Sequence, residues 1–263
     1  MNFEVLLSCM HKSEYSIIDD SNLKNINTLI INQCNNDDDE KQIDENHRVI
    51  NSKTRGLSIS RNIGIENARE DICLFADDDE LFIDGLENVV LKSYDKLEDA
   101  DIIIFQVKHW PKILGDKVKK LSKFDLLRVS SVQISFRTSS IQGKVKFDPY
   151  LGAGTKNGSG EENKFLLDCY RQGMSIYYFP VEILELKESN STWFTGFNRD
   201  YFYKRGYTTR YIYGFSFAFM YALYFIFTKR KLYSKYISTK SALYYILKGL
   251  KDNCIIKQKE IIE

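Results

Sequence analysis

The sequence lacks a net charge, a zinc-binding cysteine pattern and an internal repeat. Its 37 lysines and arginines face 36 acidic residues, and the resulting +1 gives no general electrostatic reason to bind nucleic acid. The five cysteines are odd in number, far apart and never in C-x-x-C or Cys/His zinc spacing, so we expect reduced thiols. The apolar run after Glu4 is too short and too early for a signal peptide, which predicts a cytoplasmic protein.

The composition is that of a folded globular protein. Hydrophobic residues make up 43% and charged residues 28% of the 263 residues. Short apolar runs alternate with helical stretches, which predicts an α/β fold with a Rossmann-like, mostly parallel sheet flanked by helices. We predict helices at 58–68, with Ser58 as its N-cap, at 84–97 and at 161–172, and strands at 3–9, 28–32, 47–50, 71–76, 101–107, 132–136 and 175–179.

An acidic cluster follows the most apolar of these strands. Residues 71–76 contain no polar residue after Asp71, as expected of a parallel strand buried on both faces, and the run DDDE follows at 77–80. Open α/β sheets bind ligands beyond such strand ends. Asp77 and Asp79 therefore suit a divalent cation that stabilises a departing diphosphate. The same four letters at 37–40 lie in a polar stretch, where we interpret them as a solvated loop.

Two segments carry a family resemblance. GLSISRNIGIENAREDICLFADDDE, at 56–80, closely resembles the family 2 glycosyltransferases with a GT-A fold, and GSGEENKFLLDCYRQG, at 158–173, resembles their acceptor-side motif. The resemblance implies inverting, metal-dependent transfer of a hexose from a nucleotide diphosphate sugar, with Mn²⁺ or Mg²⁺ as cofactor. It also implies a glycan or polyprenyl-linked acceptor in surface polysaccharide synthesis.

The resemblance implies roles for residues on the donor side. The last aspartate of the cluster, Asp79, would bind the metal, and Asp77 would contact the nucleotide and the metal with help from Asp78. Arg61 would contact the nucleotide; the alternative is a helix-surface arginine paired with Glu66 or Asp71. Family members carry small polar residues after the first strand and two aspartates, which read uracil, after the second. Here those positions hold Ser8, Met10, Asn32 and Gln33. Amide side chains can still pair with a pyrimidine, so the resemblance favours a UDP-linked donor.

The acceptor-side motif implies the catalytic base. An inverting transfer needs a group that takes the proton of the attacking hydroxyl, and the matching position is Glu162, with Glu161 orienting the acceptor or substituting for it. The alternative interpretation is that both are first-turn carboxylates favoured by the helix dipole. Relatives often add a histidine ligand near the end of the domain. This chain has no histidine there, but it offers polar and aromatic residues: Glu185, Lys187, Glu188, Ser189, Ser191, Thr192, Trp193 and Phe194.

The C-terminal part has a different character. We predict a catalytic domain at 1–197, with a nucleotide-sugar half at about 1–110 and an acceptor half at about 111–197, and a helical tail at 198–263. Residues 211–227 are uncharged, rich in Tyr and Phe, and flanked by cations at both ends. Since about 20 apolar residues are needed to span a membrane, we expect a helix lying on the cytoplasmic face of the plasma membrane. The alternative is a helix packed within the protein or against a second subunit.

Two other functions share parts of this pattern. A nucleotidyl or phosphoryl transferase would use the aspartate cluster but would not need the Gly-Glu-Glu motif. An inactive relative would bind glycans without turning them over. UDP binding and donor hydrolysis in the presence of Mn²⁺ separate these alternatives.

Overall fold

The computed structural model describes residues 1–12, 14–187 and 196–252, and the chain divides into two compact units. The first unit comprises Met1–Pro149 and Glu161–Ser189, and the second comprises Tyr150–Gly160 and Asn190–Glu263. The glycine-rich segment before Glu161, which lies within the predicted acceptor half, therefore groups with the C-terminal helices.

A ten-stranded sheet forms the centre of the first unit within the described residues. Its order is β3-β4-β2-β1-β5-β9-β7-β10-β6, with β8 paired to β10. Strands β1, β2, β4, β5, β7 and β10 share one direction, which confirms the predicted mostly parallel core. The strand bounds are β1 Phe3–Met10, β2 Thr28–Gln33, β3 Lys41–Gln42, β4 His47–Ser52, β5 Ile72–Asp77, β6 Glu80–Phe82, β7 Ile102–Val107, β8 Lys119–Lys120, β9 Ile134–Arg137 and β10 Ile176–Leu186.

Helices cover both faces of this sheet, as the α/β prediction requires. Side chains alternate along a strand, so Leu7 of β1 joins one core cluster while Leu6 joins the other. The first cluster contains residues of α1 and α3, and the second contains residues of α2 and α5. The helices of this unit are α1 Glu14–Asp20, α2 Leu57–Asn67, α3 Leu86–Lys96, α4 Thr138–Ile141 and α5 Glu161–Arg171.

Strand β9 departs from the alternation that the sequence predicted. It lies between β5 and β7 and runs antiparallel to both. A parallel strand would need a crossover back to the opposite edge of the sheet. Between β7 and β9, where every residue is described, the chain forms the short strand β8 and two short 3-10 helices, Asp125–Arg128 and Ser131–Gln133, but no crossover helix. The chain therefore re-enters the sheet from the side that it had left.

Ser58 is not the N-cap of α2. The helix begins at Leu57 and is preceded by Gly56, and no side chain caps it. Gly56 has φ 112°, a backbone conformation that glycine adopts readily, so the N-cap lies two residues earlier than predicted. Ser58 consequently lies buried in the first turn.

The second unit is helical. Its helices are α6 Arg199–Tyr213, α7 Phe215–Thr228, α8 Arg230–Tyr233 and α9 Thr239–Asp252. Helices α6 and α9 approach closely where two glycines face the other backbone. A Cβ on Gly206 would lie 2.1 Å from the Ile246 carbonyl oxygen, and one on Gly249 would lie 2.0 Å from the Tyr203 carbonyl oxygen.

The uncharged stretch 211–227 does not form one helix. Gly214, at φ 83°, ends α6 and precedes α7, because this conformation cannot continue an α-helix. Among the described residues, no helix combines the length and apolar character needed to cross a membrane.

Candidate functional site

Several side chains predicted to bind the donor lie where parallel strands end. Strand β1 lies between β2 and β5, with Ser8 opposite Asp77 and Met10 opposite Gln33. The carboxyl ends of all three strands therefore share one edge of the sheet. The topology supplies the crevice in which α/β sheets bind ligands.

Arg61 of α2 connects the acidic cluster with the acceptor-side motif. Its side chain is 1% exposed, and its Nη2 donates to both carboxylate oxygens of Asp77 at 3.0 Å. Its Nη1 donates to Glu161 Oε1 at 3.2 Å, and Nη2 also donates to Ser131 Oγ at 2.8 Å. A buried arginine needs partners that compensate its charge, and Asp77 and Glu161 provide them. Because Arg61 is buried and has these partners, it is not a helix-surface arginine paired with Glu66 or Asp71.

Aromatic rings support this guanidinium. Its Cζ lies 5.4 Å from the centre of the Phe147 ring, and Phe147 stacks on Phe165 of α5 with 4.3 Å between ring centres. Burial disfavours the charged form of Arg61, but the carboxylates of Asp77, Glu161 and Glu162 more than compensate and raise its pKa. Arg61 therefore stays charged and fixed in position.

Glu161 and Glu162 occupy different environments in the first turn of α5. Glu161 is buried and accepts from Arg61, and its Oε2 has no hydrogen-bond partner within the described residues. Glu162 is half-buried, and burial, followed by the charge of Glu161, raises its pKa well above the ordinary value. Of the two, Glu162 is the carboxylate whose raised pKa favours accepting a proton.

The four residues of the acidic run at 77–80, from the last residue of β5 to the first of β6, are held by different contacts. Asp78 Oδ2 lies 3.5 Å from Lys12 Nζ, and the Asp79 carbonyl oxygen accepts from the Lys187 amide at 2.8 Å. Glu80 is fully buried, and its Oε1 accepts from the Asp77 amide at 3.1 Å. Burial, followed by the charge of Asp77, raises the pKa of Glu80 well above its ordinary value. Glu80 thus fixes the backbone that presents the aspartates.

A metal site requires more ligands than this cluster offers. The described residues contain no group of three or more His, Cys, Asp or Glu placed to hold an ion. Both oxygens of Asp77 accept from Arg61. A cation at Asp79 would therefore complete its shell with donor diphosphate oxygens and water, as Mg²⁺ commonly does.

The second acidic run, at 37–40, serves the structure around β4. Asp38 accepts from Asn51 at 3.0 Å and pairs with Lys41, while Glu40 pairs with Arg48 and Arg69. The run at 77–80 differs in that its first residue, Asp77, contacts the buried Arg61.

The residues predicted to read the base have mixed surroundings. Asn32 is buried; its Nδ2 donates to Lys12 and Asn51, and its Oδ1 accepts from the Lys12 amide. Gln33 is buried and donates to the Gly56 carbonyl oxygen at 3.1 Å. Ser8 Oγ accepts from Ser60 Oγ at 2.9 Å, and Met10 is exposed. The side-chain amide of Asn32 is occupied by hydrogen bonds within the protein. That Met10 and Gln33 contact the nucleotide base stays a prediction.

The end of β10 lies beside the acidic cluster. Leu186 pairs with Glu80 of β6, and Glu185 forms an ion pair with Lys108 at 2.7 Å. The other predicted polar and aromatic positions after Lys187, including Trp193 and Phe194, lie outside the described residues.

The sequence patterns did not indicate three residues that support the site. Ser131 and Phe147 contact Arg61 from segments with no motif, so nothing in the sequence pointed to them. Glu80 was visible as the last letter of the acidic run, but its burial beneath Asp77 became clear only from the β6 pairing.

Comparisons with known proteins identify relatives. The family model described as glycosyl transferase family 2 matches residues 7–148, just over half of the chain. The structure of S. aureus TarS aligns with 96% of this chain and 50% of its own, at 13% identity and a TM-score of 0.62. This chain thus spans half the length of that protein. No curated protein sequence matches.

Structures of S. aureus TarS 1–349 are also similar. The complex with UDP-GlcNAc has a TM-score of 0.64 at 13% identity, and the complex with UDP has 0.61 at 12%. Each alignment covers 100% of this chain and 92% of the other. At these identities the likeness establishes the GT-A fold.

Proposed function

Because this chain belongs to glycosyl transferase family 2, we propose that it moves a hexose from a UDP-linked donor to a glycan or polyprenyl-linked acceptor with inversion. Family membership makes the chain a glycosyltransferase that uses a nucleotide sugar. The observation that carries the proposal is Arg61, which contacts Asp77 at the end of β5 and Glu161 at the start of α5. The donor-side and acceptor-side motifs therefore meet in the first unit.

The donor would bind at the carboxyl ends of β1, β2 and β5. The similar TarS structures hold UDP-GlcNAc and UDP, which supports a uridine nucleotide and makes UDP-GlcNAc the first donor to test. Ser8, Met10 and Gln33 are the residues at these strand ends that we expect to contact the nucleotide. Asn32 would act indirectly, because its amide holds Lys12.

Asp79 would hold Mn²⁺ or Mg²⁺. The hard carboxylate oxygen suits either ion, and the ion would supply positive charge that stabilises the diphosphate as it departs. Asp77, which we predicted as a second ligand, is held by Arg61 through both oxygens. We therefore assign Asp79 the main contact with the ion and leave Asp77 and Asp78 to position the donor.

Glu162 would be the catalytic base. As the acceptor hydroxyl oxygen forms its bond to the anomeric carbon, Glu162 takes the hydroxyl proton, and the bond to the diphosphate breaks with its electron pair leaving on UDP. Attack opposite the leaving group inverts the configuration. The raised pKa of Glu162 suits it to accept a proton at this moment.

The test is a screen of UDP-, GDP- and dTDP-sugars for hydrolysis and transfer, each with and without Mn²⁺. We expect turnover of a UDP-sugar that requires the metal and is lost in Asp79→Ala. Glu162→Gln should keep UDP binding by calorimetry but lose turnover, because it removes the proton acceptor without changing shape. The anomeric configuration of the product, read by NMR, tests inversion.

The second acidic run provides a matched control. Asp39→Ala removes the third letter of the same tetrapeptide at 37–40, as Asp79→Ala does at 77–80, and should leave turnover unchanged. Full activity of Asp79→Ala, or equal loss in both variants, would contradict the proposed metal contact. A retained configuration would contradict the role of Glu162.

A further inference from the structure

The charges of this nearly neutral chain are unevenly divided. Residues 201–251 contain ten lysines and arginines and no acidic residue. The remaining residues hold 27 basic and 36 acidic side chains, a net charge of −9. The cationic segment covers nearly all of the helices of the second unit, so this unit carries a strong positive field.

One helix of this unit has apolar side chains on both of its faces. Helix α7 buries Ala218, Ala222, Phe225 and Ile226 in a cluster with residues of α6 and α9. Its opposite face leaves large apolar side chains 40–66% exposed: Phe215, Phe219, Met220, Tyr224 and Phe227. These residues cover one side of the helix at helical spacing, so they form a continuous surface rather than scattered contacts.

Exposed cations follow this apolar face directly. Lys229, Arg230 and Lys231 come immediately after α7, with Lys235 and Lys240 further along. Within the described residues none of the five forms an ion pair. By contrast, Arg205 stacks on Phe225 and bonds Tyr201, and so serves the packing of the unit.

We propose that the exposed face of α7 and these five cations bind the surface of an anionic lipid bilayer. The 14 residues of α7 extend about 21 Å, short of the roughly 30 Å hydrocarbon core, so the helix would lie in the plane of the membrane. The aromatic face would enter the headgroup boundary, and the lysines and arginines would meet the lipid phosphates.

The charge pattern favours lipid over other occupants. A second copy packed symmetrically would bring two cationic segments together with no acidic residue in either to compensate. A nucleic acid would match the cations but leave the apolar face in water. An anionic bilayer satisfies both at once.

The test is flotation of the full chain with vesicles of phosphatidylcholine alone or of an equimolar mixture with phosphatidylglycerol. We expect binding to the mixed vesicles only, with weakening as salt screens the cations. Met220→Glu with Phe227→Glu should abolish flotation. Removal of two cations, Lys229→Ser with Lys231→Ser, should weaken binding about 25-fold, since each contributes about fivefold.

Matched controls come from the first unit. Ile113 and Phe124 are 55% and 56% exposed, and changing both to Glu should leave flotation intact. Lys24→Ser with Lys117→Ser removes two exposed cations and should also have no effect. Circular dichroism and the unfolding midpoint establish that each variant is folded.

Three results would overturn the proposal. One is equal binding to vesicles with and without phosphatidylglycerol. Another is unchanged flotation of the α7 double variant. The third is a dimer, seen by light scattering, that the α7 double variant dissociates while vesicles fail to compete. The flotation test does not measure UDP-GlcNAc turnover. Its outcome is therefore independent of the proposed function.

Discussion

Replacing Arg61 tests the link between the two halves of the site. In Arg61→Met, Asp77 loses both of its guanidinium bonds and the buried Glu161 loses its one contact with that group. Removing one partner of a buried ion pair costs about 3–5 kcal/mol. Asp77 is 24% exposed and regains some hydration in the variant, so we expect the free energy of unfolding to fall by about 3 kcal/mol. Urea unfolding should show a lower midpoint with an unchanged slope.

The double variant separates this mechanism from lost packing. In Arg61→Met with Glu161→Gln, the neutral amide replaces the orphaned carboxylate, so we expect recovery of about 1–2 kcal/mol relative to Arg61→Met. Arg61→Lys keeps the positive charge but loses the two-pronged geometry of the guanidinium. Its free energy of unfolding should lie between those of the wild type and Arg61→Met. A change within about 0.5 kcal/mol for Arg61→Met, or simple additivity in the double variant, would refute the reasoning.

The remaining predictions concern four other positions. Glu162 must be ionised to accept a proton and its pKa is raised, so kcat of the wild type should fall with decreasing pH through a limb above 4.5; a limb at or below 4.5 would contradict this role. Glu80→Gln should retain the bond to the Asp77 amide and unfold like wild type, whereas Glu80→Ala should lose about 1–3 kcal/mol in urea. Gly206→Ala should destabilise by about 1–3 kcal/mol because the new methyl would overlap a backbone oxygen. Gly64→Ala, where the methyl would meet Leu6 at 3.5 Å and Ile31 at 3.8 Å, should leave the free energy of unfolding unchanged or raise it by up to about 1 kcal/mol in thermal unfolding.

The sequence predicted the parallel core well because buried strands have a strong local signature. Strand β5 is apolar on both faces, and its position matches the prediction within one residue. Strand β9 was harder, since four residues give no indication of direction. Its antiparallel course depends on the short turns before it, which tertiary packing decides.

The candidate site was predicted in part. Motif resemblance located Asp77, Arg61 and Glu161, and the structure places Arg61 in contact with both carboxylates. The sequence did not predict that Arg61 would be buried. Helix α2 has only a weak amphipathic pattern, so the pattern does not distinguish its buried face from its exposed face. Ser131 has no motif at all, and only the path of the chain before β9 brings its hydroxyl to the guanidinium.

The ring stack beneath Arg61 affects how the enzyme meets its substrates. Phe147 and Phe165 lie flat against each other, and Phe165 follows Glu161 by four residues, one turn along α5. The stack fixes Arg61, and Arg61 in turn fixes the carboxylates of Asp77 and Glu161 in the folded protein. Little reorganisation of these groups is then needed in each turnover. A rigid scaffold of this kind lets specificity evolve in the surrounding loops while the polar groups keep their alignment.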